Sequence, residues 1–286
     1  MPQHAPDQLI VTRATPEDWT VVSEWAAAEG WNPGLSDASC FFAQDPDGFF
    51  LGRIDGEPVS AISVVNYSPT YAFLGFYLVR PDQRGRGHGL ATWKAALAHA
   101  GDRTVGLDGV PAQQDNYRRS GFELAYRTSR FGGTAPSGDR PTPDHVVPAA
   151  TVGPDAIAAY DSACYPADRA RFLRHWLSCD GHRAFARVPD GRVTGYGVIR
   201  PGRDAHRVGP LFADTTEDAR ALLDALTADL DGAPFAVDVP ETNPEAVALA
   251  KSLGLTPSFD TARMYTGPVR PVATSRIFGV TSLELG

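Results

Sequence analysis

The sequence predicts an α+β fold present twice, each copy a mixed, mostly antiparallel sheet flanked by helices. Three observations carry this. Phe50–Val59 reads as strand, Asp55–Gly56 turn and strand, and Phe185–Val193 repeats the pattern around Asp190–Gly191. Ser120–Gly121–Phe122 has a counterpart in Leu253–Gly254–Leu255. Phe185 follows Phe50 by 135 positions and Leu253 follows Ser120 by 133, so both markers return at nearly one offset, as in an internal repeat. A chain of 286 residues is long enough for two ordinary domains.

The first copy is expected over residues 1–133. Thr15 caps a helix with Pro16 at its first position and Asp18 completing a capping box, and that helix runs to about Gly30. Phe49–Ile54, Val59–Asn66 and Tyr71–Val79 read as three strands of an antiparallel meander. Gly89–Ala100 reads as a helix, Thr104–Asp108 as a strand, Ala112–Arg119 as a short helix ending at Gly121, and Glu123–Phe131 as the closing strand. Residues 134–148, rich in Gly, Pro, Ser, Thr and Asp, read as a linker. The second copy is expected over residues 149–286. Its helices are Asp155–Cys164, Asp168–Leu177, Thr215–Leu230 and Pro244–Leu253; its strands are Arg183–Val188, Val193–Ile199, His206–Phe212 and Phe235–Val239.

Composition bounds the function. Hydrophobic residues make up 43% and charged residues 21%, a globular balance. A net charge of −8 argues against nucleic acid as a partner and is compatible with a cationic substrate. Cys40, Cys164 and Cys179 are widely spaced and show no metal-ligand pairing, so no metal is expected and the thiols read as free in a reducing compartment. Met1–Leu9 carries no signal-peptide core, and no apolar run approaches the about 20 residues of a membrane span. A soluble, cytoplasmic protein without a membrane partner is the expectation.

The chemistry concentrates between Gly75 and Leu90. An apolar strand meets a Pro81 turn, then a loop with Gly85, Gly87 and Gly89, then a helical pattern. A helix N-terminus offers unpaired N–H groups and a positive dipole end to an anion. The glycines let the backbone approach it, and Arg84 and Arg86 add positive charge suited to phosphate. The expected ligand is a pyrophosphate. A P-loop NTPase is excluded because Gly-x4-Gly-Lys-[Ser/Thr] is absent, and the even spacing of the glycines breaks the dinucleotide fingerprint.

Arg84-x-x-Gly87-x-Gly89, preceded by Leu78–Val79-x-Pro81, resembles the acyl-CoA loop of the GCN5-related N-acetyltransferases. Tyr117–Arg118–Arg119–Ser120–Gly121–Phe122 resembles that family's Tyr-x-x-x-Gly-Phe segment. Glu29–Gly34, Leu107–Val110 and the closing Phe278–Leu285 are similar to a subgroup with two such halves, which includes amino-sugar antibiotic acetyltransferases of the kasugamycin type. The resemblance implies acetyl-CoA as cosubstrate. It places the pantetheine arm in a gap between the fourth and fifth strands, on backbone groups of Leu78 and Val79. It places the pyrophosphate on N–H groups from Arg84 through Gly85, Arg86, Gly87 and His88 to Gly89. Tyr117 maps onto the family tyrosine, which donates a proton or a hydrogen bond to the departing thiolate.

The general base stays open. Many relatives carry a Glu on the fourth strand, but Tyr71–Val79 has no carboxylate. Asp108 is the nearest candidate, with a turn role before Gly109 as the alternative. His88 reads as a backbone contributor. In the second copy, Ala213–Asp218 replaces the glycine loop with three carboxylates, which cap a helix and repel a pyrophosphate. That copy is therefore expected to shape the acceptor pocket or a subunit interface, a homodimer being the assembly the latter implies.

The expected reaction is acetyl transfer to the primary amine of a small molecule, with an aminoglycoside or amino sugar favoured. Trp31 and Asn32 are the candidates to frame the acceptor, and Asp37, Asp180, Asp238 and Glu241 to meet its ammonium groups. Acetylation of a protein lysine or N-terminus and a non-catalytic coenzyme A sensor are the alternatives.

Overall fold

The computed structural model describes residues 8–138 and 140–286. Most of Met1–Leu9, and Asp139 of the linker, lie outside the described residues. The first half runs β1 (Ile10–Arg13), α1 (Trp19–Ala28), α2 (Asp37–Gln44), β2 (Phe49–Ile54), β3 (Glu57–Asn66), β4 (Tyr71–Val79), α3 (His88–Leu97), β5 (Thr104–Gly109), α4 (Gln114–Arg119) and β6 (Glu123–Thr134). The second runs β7 (Val146–Pro148), α5 (Ala149–Val152), α6 (Pro154–Asp161), α7 (Ala170–Trp176), β8 (Arg183–Arg187), β9 (Gly195–Arg200), β10 (His206–Ala213), α8 (Thr216–Leu226), β11 (Pro234–Pro240), α9 (Pro244–Ser252), β12 (Thr256–Tyr265) and β13 (Ile277–Gly279).

Local chemistry explains the starts. The capping box at α1 forms: Asp18 N–H donates to Thr15 Oγ1 at 3.2 Å and Thr15 N–H to Asp18 Oδ2 at 3.0 Å. The α-helix itself begins one turn later than expected, at Trp19. The reading missed β1, α2, β7, α5 and β13 and set no bounds for β12. The last three residues of the expected linker form β7, which pairs with β8.

The strands among the described residues form one thirteen-stranded sheet in the order β1-β2-β3-β4-β5-β12-β6-β11-β10-β9-β8-β7, with β13 beside β10. Pairs β4–β5 and β10–β11 are parallel and the rest antiparallel, so the mostly antiparallel, helix-flanked α+β class holds. The closing strands are exchanged. β12 runs beside β5, from Ala262↔Gly109 to Tyr265↔Gly106. β6 runs beside β11, from Pro234↔Thr134 to Pro240↔Thr128. A division at residues 133 and 149 therefore follows the chain, while the sheet crosses it.

The core also crosses. Phe41 of α2 stacks on Trp176 of α7 with ring centroids 6.0 Å apart, and both are fully buried. Buried ion pairs join the halves as well. Arg200 Nε meets Asp37 Oδ1 at 2.8 Å, Arg130 Nε meets Asp238 Oδ1 at 2.8 Å, and Arg207 also holds Asp238.

Candidate active site

The sheet opens at one place in the first half. β4 and β5 pair from Tyr71↔Thr104 to Leu74↔Leu107 and then part. On the other edge of β4, Ser63 faces Gly75 and Ala61 faces Leu78, so Phe76 and Tyr77 oppose Ile62 alone. This is a β-bulge, and Phe76 takes the left-handed region at φ +48° to make it. The bulge turns β4 away from β5. A cavity of about 480 Å³ lies in the gap, reaching from Trp31 and Phe259 at one end to the Gly85–Leu90 loop at the other.

The loop meets the helix as expected, but its parts divide the work differently. Gly85 and Gly87 sit at φ +77° and +86°, and a Cβ at either would touch nothing; they are glycines for backbone conformation. At Gly89 a Cβ would lie 2.7 Å from Tyr77 Oη and 2.9 Å from Val79 Cγ2. That glycine lets α3 pack against β4. The backbone N–H groups of residues 85–90 have no carbonyl partner among the described residues, which leaves a cradle for an anion. Arg84 does not extend freely toward it. Its Nε donates to Val79 O at 3.0 Å and its Nη2 pairs with Glu29. The Val79 carbonyl is thus already engaged within the chain. Arg86 is exposed, with no ion pair among the described residues.

The equivalent gap in the second half is closed. β10 and β11 pair only from His206↔Phe235 to Val208↔Val237, and β13 then runs along β10 with Leu211 opposite Gly279. A Cβ on Gly279 would lie 2.7 Å from Val237 Cγ1, so only glycine fits there. At the start of α8, Thr215 Oγ1 accepts from Asp218 N–H at 3.1 Å and occupies the helix end.

Tyr117 faces the cavity from α4. It is 8% exposed, stacks on Trp93 at 5.8 Å, and its ring lies so close to Gly109 that a Cβ there would be 2.7 Å from Cδ2. Burial, with Tyr77 nearby, pushes its phenol up to about 12, so it carries its proton at neutral pH. Asp108 also lines the cavity, but Arg263 grips it bidentately, Nε to Oδ1 at 2.9 Å and Nη2 to Oδ2 at 2.6 Å. Burial raises the carboxyl above its usual range, opposed by the charge and hydrogen bonds of Arg263. This geometry makes Asp108 a joint between β5 and β12 and weakens the case for it as a base.

Among the acceptor candidates only Trp31 lines the cavity; Arg130 Nη1 donates to its carbonyl at 2.6 Å. The others lie away from it. Asn32 is buried in the joint between halves, donating to Ala205 O and accepting from Asp204 N–H, both at 2.9 Å. Asp37 and Asp238 are about 1% exposed, bound to buried arginines, and neither lines the cavity. Asp180 and Glu241 are exposed and off the cavity wall. Such acids join the halves because a guanidinium brought in by the other half needs a counter-charge where water is excluded.

Sequence reasoning gave no role to the chain's last residues. After β13 they run as a strap to the first half's gap, where Leu283 and Glu284 line the cavity. Tyr67 and Tyr165 hydroxyls donate to Leu285 O at 3.2 and 2.9 Å. Ser282 Oγ accepts from Glu284 and Leu285 N–H and donates to Glu284 Oε2 at 2.7 Å. The sequence signal was the absence of any carboxylate on β4, which leaves a place for one from elsewhere.

Comparison with known proteins agrees with this architecture. The "Acetyltransferase (GNAT) family" model matches residues 12–122, and the "Acetyltransferase (GNAT) domain" model matches residues 157–279. The chain is 36% identical over 274 residues to the holothin acyltransferase of Pseudoalteromonas sp. (strain SANK 73390), spanning 96% of this chain and 93% of that protein. In fold it is similar to the crystal structure of a proposed acetyltransferase from Pyrococcus horikoshii, with TM-score 0.81, 22% identity and all of both chains covered. It is also similar to a tandem GNAT protein from the clavulanic acid biosynthesis pathway, with TM-score 0.61, 18% identity, and 91% and 99% of the two chains covered. With one gap open, the other filled by its own strand, and an acyltransferase alike from end to end, the chain belongs to the GNAT acetyltransferase family as a tandem member and is an acyltransferase.

Proposed function

We propose that the chain transfers an acyl group, acetyl in the simplest case, from coenzyme A to the primary amine of a compact small molecule held in the first-half cavity. The observation that carries this is the union, in one cavity, of an unpaired N–H cradle and a protonated phenol. The cradle of residues 85–90 would hold the diphosphate, and the parted edge of β4 around Leu78 and Val79 the pantetheine arm. When bound, the thioester supplies the carbonyl carbon that the amine attacks. Tyr117 then offers its O–H to the departing thiolate. Its phenol is a weaker acid than an ordinary thiol, so its part is to donate a hydrogen bond rather than to give up the proton outright.

Beyond the loop, the cavity wall includes the apolar Trp31, Phe76, Leu107, Val110, Phe259 and Leu283 as well as Asp108, Thr261 and Glu284. The acids expected to receive a polycation are committed to arginines or lie elsewhere. This lining supports a small amine with an apolar body rather than a polycation, and holothin, named for the 36%-identical relative, is the first acceptor to try. Amino-sugar antibiotics of the kasugamycin type form the second arm. The test mixes purified protein, acetyl-CoA and a panel of holothin, amino sugars, polyamines and lysine peptides, reading thiol release and product mass. Release of thiol with one acyl group gained on a small amine is expected. Faster turnover of peptides overturns the small-molecule reading; coenzyme A binding without transfer to any amine leaves a sensor.

A further inference from the structure

Amine acylation requires a group that removes a proton from the attacking nitrogen, and three carboxylates line the cavity: Glu29, Asp108 and Glu284. Glu29 is paired with Arg84, and Asp108 has both oxygens on Arg263. Each already serves as the bonded counter-charge of an arginine. Glu284 differs. Its Oε2 accepts from the Ser282 hydroxyl at 2.7 Å, and its Oε1 takes no hydrogen bond among the described residues.

Its position is fixed. The strap's main chain lies on Gly75, the first residue of β4 beyond the last β4–β5 pair at Leu74 and Leu107. Glu284 is 4% exposed, and the Ser282 turn and the two tyrosines on Leu285 hold the strap in place. Charged groups around it are Arg130 and Arg207, which share Asp238, and the Asp108–Arg263 pair; Tyr77 and Tyr117 complete the titratable wall.

We propose that Glu284 is the proton acceptor of the acyl transfer, oriented by Ser282; this rests on the acyl-transfer reading above. The neutral amine's lone pair forms the C–N bond at the thioester carbonyl carbon, and Glu284 Oε1 takes the proton that nitrogen loses. The C–S bond breaks with its electron pair on sulfur, beside the Tyr117 hydroxyl. The proton passes through solvent from Glu284 to the thiolate, so amine and thioester become amide and thiol. The C-terminal strap would thus supply what β4 lacks.

The test is Glu284→Gln in the full chain, with an acceptor amine that stays neutral across the pH range and coenzyme A binding read by calorimetry. Coenzyme A affinity should stay within about 2-fold, while kcat falls about 100- to 10,000-fold and its acid limb disappears. A kcat within about 3-fold of the parent, or an unchanged acid limb, overturns the proposal. Ser282→Ala is the second variant should Glu284→Gln unfold. Losing a hydrogen bond to the carboxylate should move the acid limb to higher pH, and an unmoved limb overturns the assignment. A parent protein that neither binds coenzyme A nor releases thiol would sink the acyl-transfer reading itself; an active parent with an active Glu284→Gln sinks only this inference.

Discussion

The main chain of Glu284 occupies the space that a side chain on Gly75 would need. A Cβ built there would overlap the Glu284 carbonyl oxygen and lie 2.9 Å from its carbonyl carbon. Backbone on both sides cannot turn aside as a side-chain tip does. Gly75→Ala should therefore lift the strap from the cavity. We expect a stability loss of about 1–3 kcal/mol in denaturant melts, the usual cost of overpacking, together with a fall in kcat. Unchanged melts and turnover would show that the strap does not depend on this contact.

Tyr117→Phe keeps the ring on Trp93 and removes only the hydroxyl. It should lower kcat at least about 10-fold and leave coenzyme A affinity unchanged, as read by steady-state kinetics and calorimetry. Because burial holds the phenol at about 12, Tyr117 should contribute no limb to the pH profile below about pH 10. Parent-level turnover would remove the residue from the mechanism.

One coenzyme A should bind per chain, since β13 fills the second half's gap. Calorimetry gives the stoichiometry directly, and two equivalents would contradict this account. Gly87→Ala should weaken binding. A side chain at φ +86° costs about 1–2 kcal/mol, or roughly 5- to 30-fold in affinity if the loop shifts to avoid it.

Asp238 should dominate acid stability. Burial opposes its charge, but Arg130 and Arg207 outweigh that and hold its carboxyl down at about 2. Arg207, buried beside a second guanidinium, is pushed down to about 10 and stays charged at neutral pH. A depressed folded-state value stabilises above the unfolded value near 3.9, and that stability is lost as pH falls toward 2. The swing is roughly 2–3 kcal/mol. Asp238→Asn should be destabilised by about 3–5 kcal/mol at pH 7, with a shallower fall in stability below pH 4. Thermal melts from pH 7 to pH 2.5 check both.

What the sequence revealed was local. Thr15 and Asp18 cap each other across three positions, and Gly85 and Gly87 turn a loop through their own φ angles. The fold class, the repeat and the glycine-bearing turn into α3 were therefore readable. The joints were not. Arg130 and Asp238 stand 108 positions apart, Asp108 and Arg263 155, and Asp37 and Arg200 163. No periodicity links such residues, so Asp37, Asp108 and Asp238 read as groups open to a ligand rather than as partners of distant arginines. α2 was hidden because Asp37–Gln44 is short and mixes apolar with polar residues, and β13 because three residues form a strand only where a gap receives them.

The traded strands bear on how this protein can be taken apart. β5 has its outer neighbour in β12, and β6 has both of its neighbours in β12 and β11. A break placed between Thr134 and Val146 would free two pieces, each exposing raw hydrogen-bonding edges that only the other can cover. Neither lobe is expected to survive as a separate module. Co-expressed, the pieces should find each other and regain turnover, which makes the loop a natural position for a split reporter.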